Sequence, residues 1–327
     1  MTTAWIFPGQ GSQTVGMGRD VYERSAAARA VFEEADAVLN LPLTRLCFEG
    51  PEAELTATEN AQPALLTMST ALIRALEEAH GAPLPPPQAV AGHSLGEYSA
   101  LVAGGALDFA TALRLVRRRG ELMAAANEGS MAAVIGLDEY TLDQVCREVS
   151  EALSSQPETI STVVVANYNA PDQLVISGST LAVEHAGMLA KSRGAKRVIP
   201  LKVSAAFHSP LMIHAAEGMA RAIGAVKVVQ LRVPLIANVT AEPVLTADDV
   251  RREAVAQVVA PVRWIASVQR MAHSGVSAFL ELGPGKVLTG LIRRIAPQAR
   301  LINVSTADDV QHYISQLEAG VAQERGA

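Results

Sequence analysis

Aromatic residues make up only 4% of this 327-residue chain, and charged residues only 18%. So little charge beside 49% hydrophobic residues excludes an intrinsically disordered chain, which needs the opposite balance. At this length it fits about two folded units with well-buried α/β cores. Basic residues are in the minority, 27 Lys and Arg against 33 Asp and Glu for a net charge of −6. No global positive field therefore draws the chain to nucleic acid or to a membrane surface, and attraction to an acidic partner has to be local. Cysteine is nearly absent. Cys47 and Cys146 stand in no CxxC or Cys/His spacing, so neither a zinc site nor a disulfide framework is signalled, and two buried thiols in a reducing compartment are expected. No apolar run reaches the roughly 18 residues of a membrane span; even 100–116 is broken by Asp108 and Arg114. The first nine residues show neither a basic segment nor an apolar core, so no secretory leader is expected and the protein reads as soluble and cytoplasmic.

Short apolar runs alternate with helical periodicity. A strand at Ala4 to Phe7 precedes the Gly-rich turn Gly9-Gln-Gly-Ser-Gln13, followed by helices around 18–39 and 60–80. A Pro-rich connector leads to a strand at Ala89 to Ala91, a helix from Leu95 and another behind an Asp108 N-cap. That is the βα alternation of a parallel sheet covered by helices. From about 129 the order becomes β-α-β-β-α-β, with strands at Met131 to Gly136, Val163 to Ala166, Gln173 to Ser177 and Ala195 to Val203. This is the ferredoxin-like arrangement. The first pattern then resumes with a helix near 210–226, a strand at 233–239, helices near 247–259 and 262–274, a strand at 276–282 and a final helix, strand and helix. The expected architecture is a core from 1–128 and 199–327 interrupted by a small insert, 129–198.

Gly92-His-Ser-Leu-Gly96 is a GxSxG pattern between a strand and a helix. In that setting the glycines permit a sharp turn that lifts Ser94 clear of the sheet, beside the free N–H groups of a helix N-terminus. The plainer alternative is a Gly-rich turn with a capping serine. A serine nucleophile needs a base. Of seven histidines, His80, His185, His273 and His312 fall among polar helical residues, and His214 lies within a helix. His93 adjoins Ser94, where the turn points it away, so a structural hydrogen bond is expected of it. His208, after a strand and before a Pro-initiated helix, stands where α/β sheets place catalytic groups, and either a base or a cap fits it. No acid is evident between Ser94 and His208, so a Ser-His dyad oriented by a neutral oxygen is preferred to a triad. Arg119 falls in the middle of the apolar stripe formed by Leu115, Val116, Leu122 and Met123, whereas Arg114, Arg117 and Arg118 form a solvated face. A buried guanidinium needs a carboxylate, from the protein or from a substrate, unless the side chain snorkels. Gly9 to Gln13 and Glu281-Leu-Gly-Pro-Gly-Lys286 lack the spacing of nucleotide-binding loops.

Taken together, Phe7-Pro-Gly-Gln-Gly-Ser-Gln13, Gly92-His-Ser-Leu-Gly-Glu-Tyr-Ser-Ala100, Arg119-Gly, Ala206-Phe-His-Ser-Pro-Leu-Met212, Gln257 ahead of Ala260-Pro-Val, and Glu281 to Leu288 resemble the malonyl-CoA:acyl carrier protein transacylase family. The resemblance spans essentially the whole chain. It implies an α/β-hydrolase-like core with a ferredoxin-like insert, Ser94 as nucleophile and His208 as base. It further implies main-chain oxyanion donors at Gln10 and Leu95, Arg119 as the clamp on the malonyl carboxylate, and orientation of the histidine by the backbone at Gln257. Phe207 is expected to fill space beside His208 and disfavour a branched acyl group. The substrates implied are malonyl-CoA, releasing coenzyme A, and a holo acyl carrier protein, with no resident cofactor or metal.

An acidic transferase with an acidic carrier needs a basic dock. Lys196, Arg197 and Lys286 are the first candidates, with Lys191, Arg193, Arg293 and Arg294 nearby. A monomer is expected. The competing readings are a serine esterase or thioesterase using the same dyad, a malonyl transferase of a polyketide or malonate-decarboxylase system, and a catalytically silent assembly partner, against which intact Ser94, His208 and Arg119 argue.

Overall fold

The computed structural model describes residues 2–126, 128–154, 162–203 and 205–325. The chain opens with β1 (Thr3–Phe7), then α1 (Arg19–Arg24), α2 (Ala26–Leu39), α3 (Leu43–Glu49), α4 (Glu52–Thr56) and the long α5 (Thr58–His80). The single helix expected over 18–39 is two, because Ser25 is extended and its hydroxyl caps the second helix at the Ala28 amide. The next elements are β2 (Ala89–Gly92), α6 (Gly96–Ala103) and α7 (Phe109–Ala125), the last capped by the Asp108 carboxylate at the Thr111 amide.

The expected insert then appears: β3 (Ser130–Ile135), α8 (Glu139–Ser154), β4 (Val163–Ala170), β5 (Gln173–Gly178), α9 (Thr180–Ser192) and β6 (Arg197–Pro200). These strands form an antiparallel sheet in the order β4-β5-β3-β6. Val134, Leu174 and Ile176 on one of its faces pack under α8 and α9. Met131 and Val175, on the other, belong to the main core. Main-chain bonds from Tyr168 to Val262 and from Val262 to Ala166 fasten β4 to the rest of the chain. β6 is shorter than the expected 195–203, since the backbone leaves the sheet after Pro200; Ser204 lies outside the described residues.

The remaining elements are a 3-10 turn at Pro210–Met212, α10 (Ile213–Gly224), β7 (Leu235–Ile236), β8 (Pro243–Val244), α11 (Ala247–Ala256), α12 (Trp264–His273), β9 (Ala278–Leu282), α13 (Val287–Ile295), β10 (Arg300–Val304) and α14 (Ala307–Arg325). The main sheet runs β10-β9-β1-β2-β7-β8, parallel except for β8. β1, β2 and β9 are almost wholly buried and, apart from Thr3 and Glu281, apolar, as strands covered on both faces must be. The architecture is an α/β-hydrolase-like core with a ferredoxin-like insert. Both cysteines are buried and free, and burial pushes each thiol up to about 12. Among the described residues no helix is long and apolar enough to cross a membrane.

One helix contact aims the site. Pro63 has no amide to offer the Glu59 carbonyl one turn back; that carbonyl accepts from Arg117 of α7 instead, at 3.1 Å. Beside it Gly120 lets the helices touch: a Cβ there would lie 2.6 Å from Glu59 Cα. Arg117, which also reaches Asn60, is therefore not the solvated residue expected of it.

Candidate active site

The carboxyl ends of β1, β2 and β7 meet at one edge of the sheet, the place where open α/β sheets gather chemistry. From β2 the chain turns into α6 through His93, Ser94 and Leu95. Ser94 adopts φ +52°, a left-handed conformation costly for a residue with a side chain. The turn closes only because its flanks are glycine: a Cβ on Gly92 would fall 1.9 Å from the Gly96 carbonyl carbon. The β1 loop lies against it just as closely, with a Cβ on Gly9 meeting the His93 carbonyl oxygen at 2.4 Å. Gln10 is thereby set beside the serine.

Ser94 Oγ and His208 Nε2 stand 2.8 Å apart. His208 Nδ1–H donates to the Gln257 carbonyl at 2.8 Å, which fixes the tautomer and leaves Nε2 free to accept a proton. The orienting group is a neutral oxygen, as the missing acid required. Burial first, then the nearby Arg119 charge, pushes the His208 imidazole down to about 3. His208 itself has φ +57°, a second strained residue in the same site. His93 turns away and bonds Asn169 Oδ1 at 2.7 Å, with its ring edge-on to Trp264.

Arg119 is 1% exposed. Its Nη1 donates to Gln62 Oε1 at 2.9 Å, and its Nη2 to Gln257 Oε1 at 2.8 Å and to Ser94 Oγ at 3.1 Å. All three acceptors are neutral, Nε–H is buried without a partner, and among the described residues no carboxylate pairs with this guanidinium. The snorkelling and internal salt-bridge alternatives are thus both removed.

A cavity of about 280 Å³ opens over these groups, lined by Gln10, Ser94, Leu95, Arg119, Phe207 and His208 among others. Among the described residues neither the Gln10 nor the Leu95 main-chain N–H makes a hydrogen bond. The arrangement sets the Ser94 hydroxyl, the His208 imidazole, two free amides and the buried Arg119 guanidinium around one space. Among the described residues no cluster of His, Cys, Asp or Glu is placed to hold a metal ion.

Lys196, Arg197 and Lys286 are exposed, outside the cavity lining. Two of their neighbours are already engaged, Arg193 with Glu148 and Arg294 with Asp172. Sequence reasoning missed Gln62, Asn238 and Lys202. Asn238 accepts from the Ser94 amide at 2.7 Å, and the exposed Lys202 lies at the cavity rim just past β6. Gln62, close behind Glu59 and Asn60 near the start of α5, carried no signal of its own.

A strained serine paired with a histidine, with amides ready for an oxyanion, defines an acyl-transfer enzyme of the serine class. Residues 4–317 match the acyl transferase domain family. The malonyl CoA-acyl carrier protein transacylase of Bacillus subtilis is 44% identical over 318 residues, covering 96% of this chain and 97% of that protein. The protein of the same name from Escherichia coli K12 is 44% identical over 89% of this chain and 92% of its own. The solved structure of an acyl-carrier-protein S-malonyltransferase from Bartonella henselae superposes with a TM-score of 0.90 at 43% identity, covering 97% of this chain and all of that one. A malonyl-transacylase solved in complex with its type II polyketide acyl-carrier protein also gives 0.90, at 38% identity over 97% of this chain and all of its own. The chain belongs to the malonyl CoA-acyl carrier protein transacylase family.

Proposed function

We propose that the protein transfers the malonyl group from malonyl-CoA to the phosphopantetheine thiol of an acyl carrier protein, through a malonyl-serine intermediate. The observation that carries this reading is Arg119, a buried cation beside the nucleophile with only neutral partners. A three-carbon diacid esterified at Ser94 supplies the missing anion, whereas an acetyl group leaves the charge unpaired.

Ser94 Oγ attacks the thioester carbonyl while its proton passes to His208 Nε2. The oxyanion is held by the Gln10 and Leu95 amides; it collapses with release of the coenzyme A thiol, which takes the proton from His208. The carrier's thiol then attacks the malonyl-serine ester along the same path in reverse. Phe207, on the cavity wall, narrows the space that a branched acyl group needs. Lys196, Arg197 and Lys286 form the carrier's basic dock, joined at the rim by Lys202. The core 1–128 and 199–327 carries the nucleophile, base and Arg119, and the insert 129–198 walls one side of the cavity through Met131 and Asn167. The reading takes the protein as a cytoplasmic monomer with no resident cofactor.

Incubation with labelled malonyl-CoA, followed by intact mass and peptide mapping, should place one malonyl group on Ser94, and holo carrier protein should remove it. Loss of label to water as fast as to the carrier would make the protein a thioesterase instead.

A further inference from the structure

Behind the nucleophile lies a polar network that the reaction chemistry does not use. Asn238 follows β7, is fully buried, and its side chain grips the elbow at two points. Its Oδ1 accepts from the Ser94 amide at 2.7 Å, and its Nδ2 donates to the Gly92 carbonyl at 2.6 Å. Those two groups flank the strained turn. Gly92 and Ser94 are therefore held at a fixed separation by one rigid carboxamide, which fixes the peptide groups that lead into the left-handed Ser94.

Asn238 is itself held. Its own amide donates to Glu97 Oε2 at 2.9 Å, and the next amide, Val239, donates to Glu253 Oε1 at 2.9 Å. Two carboxyl groups, 2% and 6% exposed, thus share one pair of consecutive main-chain donors. Burial and the neighbouring Glu253 charge push the Glu97 carboxyl well above the usual range, and burial raises Glu253 as well. Burial and the like charge nearby both favour the protonated form of Glu97. Glu97 belongs to α6, whose first turn the elbow feeds; Glu253 belongs to α11, one turn before the Gln257 whose carbonyl orients His208. The carboxyl pair joins the element bearing the nucleophile to the element that aims the base.

We propose that Asn238, braced by the Glu97–Glu253 carboxyl pair, is the positioning residue that holds Ser94 in its reactive conformation and in line with His208. The proposal rests on the acyl-transfer reading of Ser94.

The test compares wild type with Asn238→Ala, Glu97→Ala and Glu97→Gln in two assays: single-turnover malonylation of Ser94 by malonyl-CoA, and phosphonylation by a small alkyl fluorophosphonate, in which Ser94 Oγ displaces fluoride. Thermal melting checks that each variant folds. Asn238→Ala is expected to slow both reactions by about 100-fold, the scale of a small misplacement of a reacting atom, with KM for malonyl-CoA within about threefold of wild type. Glu97→Ala should fall with it. Glu97→Gln, which replaces a protonated carboxyl by an uncharged donor and acceptor of the same shape, should recover most of the rate. A folded Asn238→Ala enzyme within threefold of wild type in both assays overturns the proposal, as does a Glu97→Gln enzyme no faster than Glu97→Ala. If Asn238→Ala does not fold, the two Glu97 variants decide. Wild type that reacts with the fluorophosphonate but not with malonyl-CoA would refute the malonyl reading alone, and the phosphonylation rates would still judge Asn238.

Discussion

Replacing Arg119 by glutamine should change two properties in opposite directions. The substitution removes the cation and leaves a carboxamide able to donate to one of the neighbouring glutamine oxygens. Ser94 Oγ is 2.8 Å from His208 Nε2 and 3.1 Å from Arg119 Nη2, so the imidazole and the guanidinium charge lie within about 6 Å. At an effective dielectric near 20 that separation corresponds to about 3 kcal/mol, or roughly two units of pKa. The imidazole, pushed down to about 3 by burial and by Arg119, should therefore become more basic in Arg119→Gln. The same change breaks a buried charge-to-charge contact with the substrate, a loss of about 3 to 4 kcal/mol, or two to three powers of ten in kcat/KM for malonyl-CoA. The assay is single-turnover acylation of Ser94 by malonyl-CoA and by acetyl-CoA across pH 4 to 8, read by intact mass. Malonylation should fall about 100- to 1,000-fold. Acetylation should hold or rise, with the acid limb of its kcat/KM profile moved upward by about two units. Equal loss of both acyl groups from a folded variant would show that Arg119 serves packing and would refute the selectivity argument.

In wild type, the free enzyme's kcat/KM should stay level as the pH falls through 6.5 and decline only as the lowered His208 pKa is approached, because the neutral form that accepts the proton persists until then; a half-loss near pH 6.5 would contradict the buried geometry. Gly120→Ala should destabilise the protein by about 1 to 3 kcal/mol in chemical denaturation, since the new methyl meets the α5 backbone and not a flexible side chain. Charge reversal at Lys196 and Arg197 together should raise the carrier's KM by about three- to tenfold and leave turnover with a small thiol acceptor alone; an unchanged carrier KM would remove these residues from the dock. Gln257→Glu should place a carboxylate against Arg119 in place of the present oxygen at 2.8 Å, suppressing malonylation far more than acetylation in the same single-turnover assay.

Ser94, His208 and Arg119 were legible because each breaks a local pattern: a serine between glycines after a strand, a histidine in a strand-to-helix loop, a cation inside an apolar stripe. The alternation of strands and helices was legible for the same reason. Asn238 carried no such mark. It stands 144 residues from the amide it binds, and its role exists only once β7 lies beside β2. Glu253 is, in sequence, one more charge on an amphipathic helix, and Gln62 one more polar residue beside Glu59 and Asn60. The unforeseen α3, α4 and β8 are short, from two to seven residues, too brief for periodicity to show. The expected strand at 233–239 shrinks to Leu235–Ile236 because the backbone beyond it turns to present Asn238 and Val239 to the carboxyl pair.

The missing acid and the unpaired arginine have one explanation. Gln257 takes the His208 proton donor on its main-chain carbonyl, the Arg119 guanidinium on Oε1, and offers Nε2 to the Ser94 carbonyl at 3.0 Å. A carboxylate orienting the histidine from this position would lie within reach of Arg119 and pair with it. The guanidinium would then enter the cavity already neutralised, and a malonyl carboxylate would gain little over an acetyl methyl. The carboxyl pair that the fold does contain sits behind the elbow, bonded to the Asn238 and Val239 amides, with both carboxyls raised by burial, and neither is among the hydrogen-bond partners of Arg119. Orientation of the base by a neutral carbonyl forgoes the help a carboxylate gives to an imidazolium. In exchange the cation beside Ser94 stays available, and on the proposed function the substrate's own carboxylate would, once bound, offset the Arg119 field that depresses His208. The substrate that satisfies the arginine would then also be the one that makes the base more basic, so that the proposed selectivity for a diacid and the activation of the serine arise from one charge.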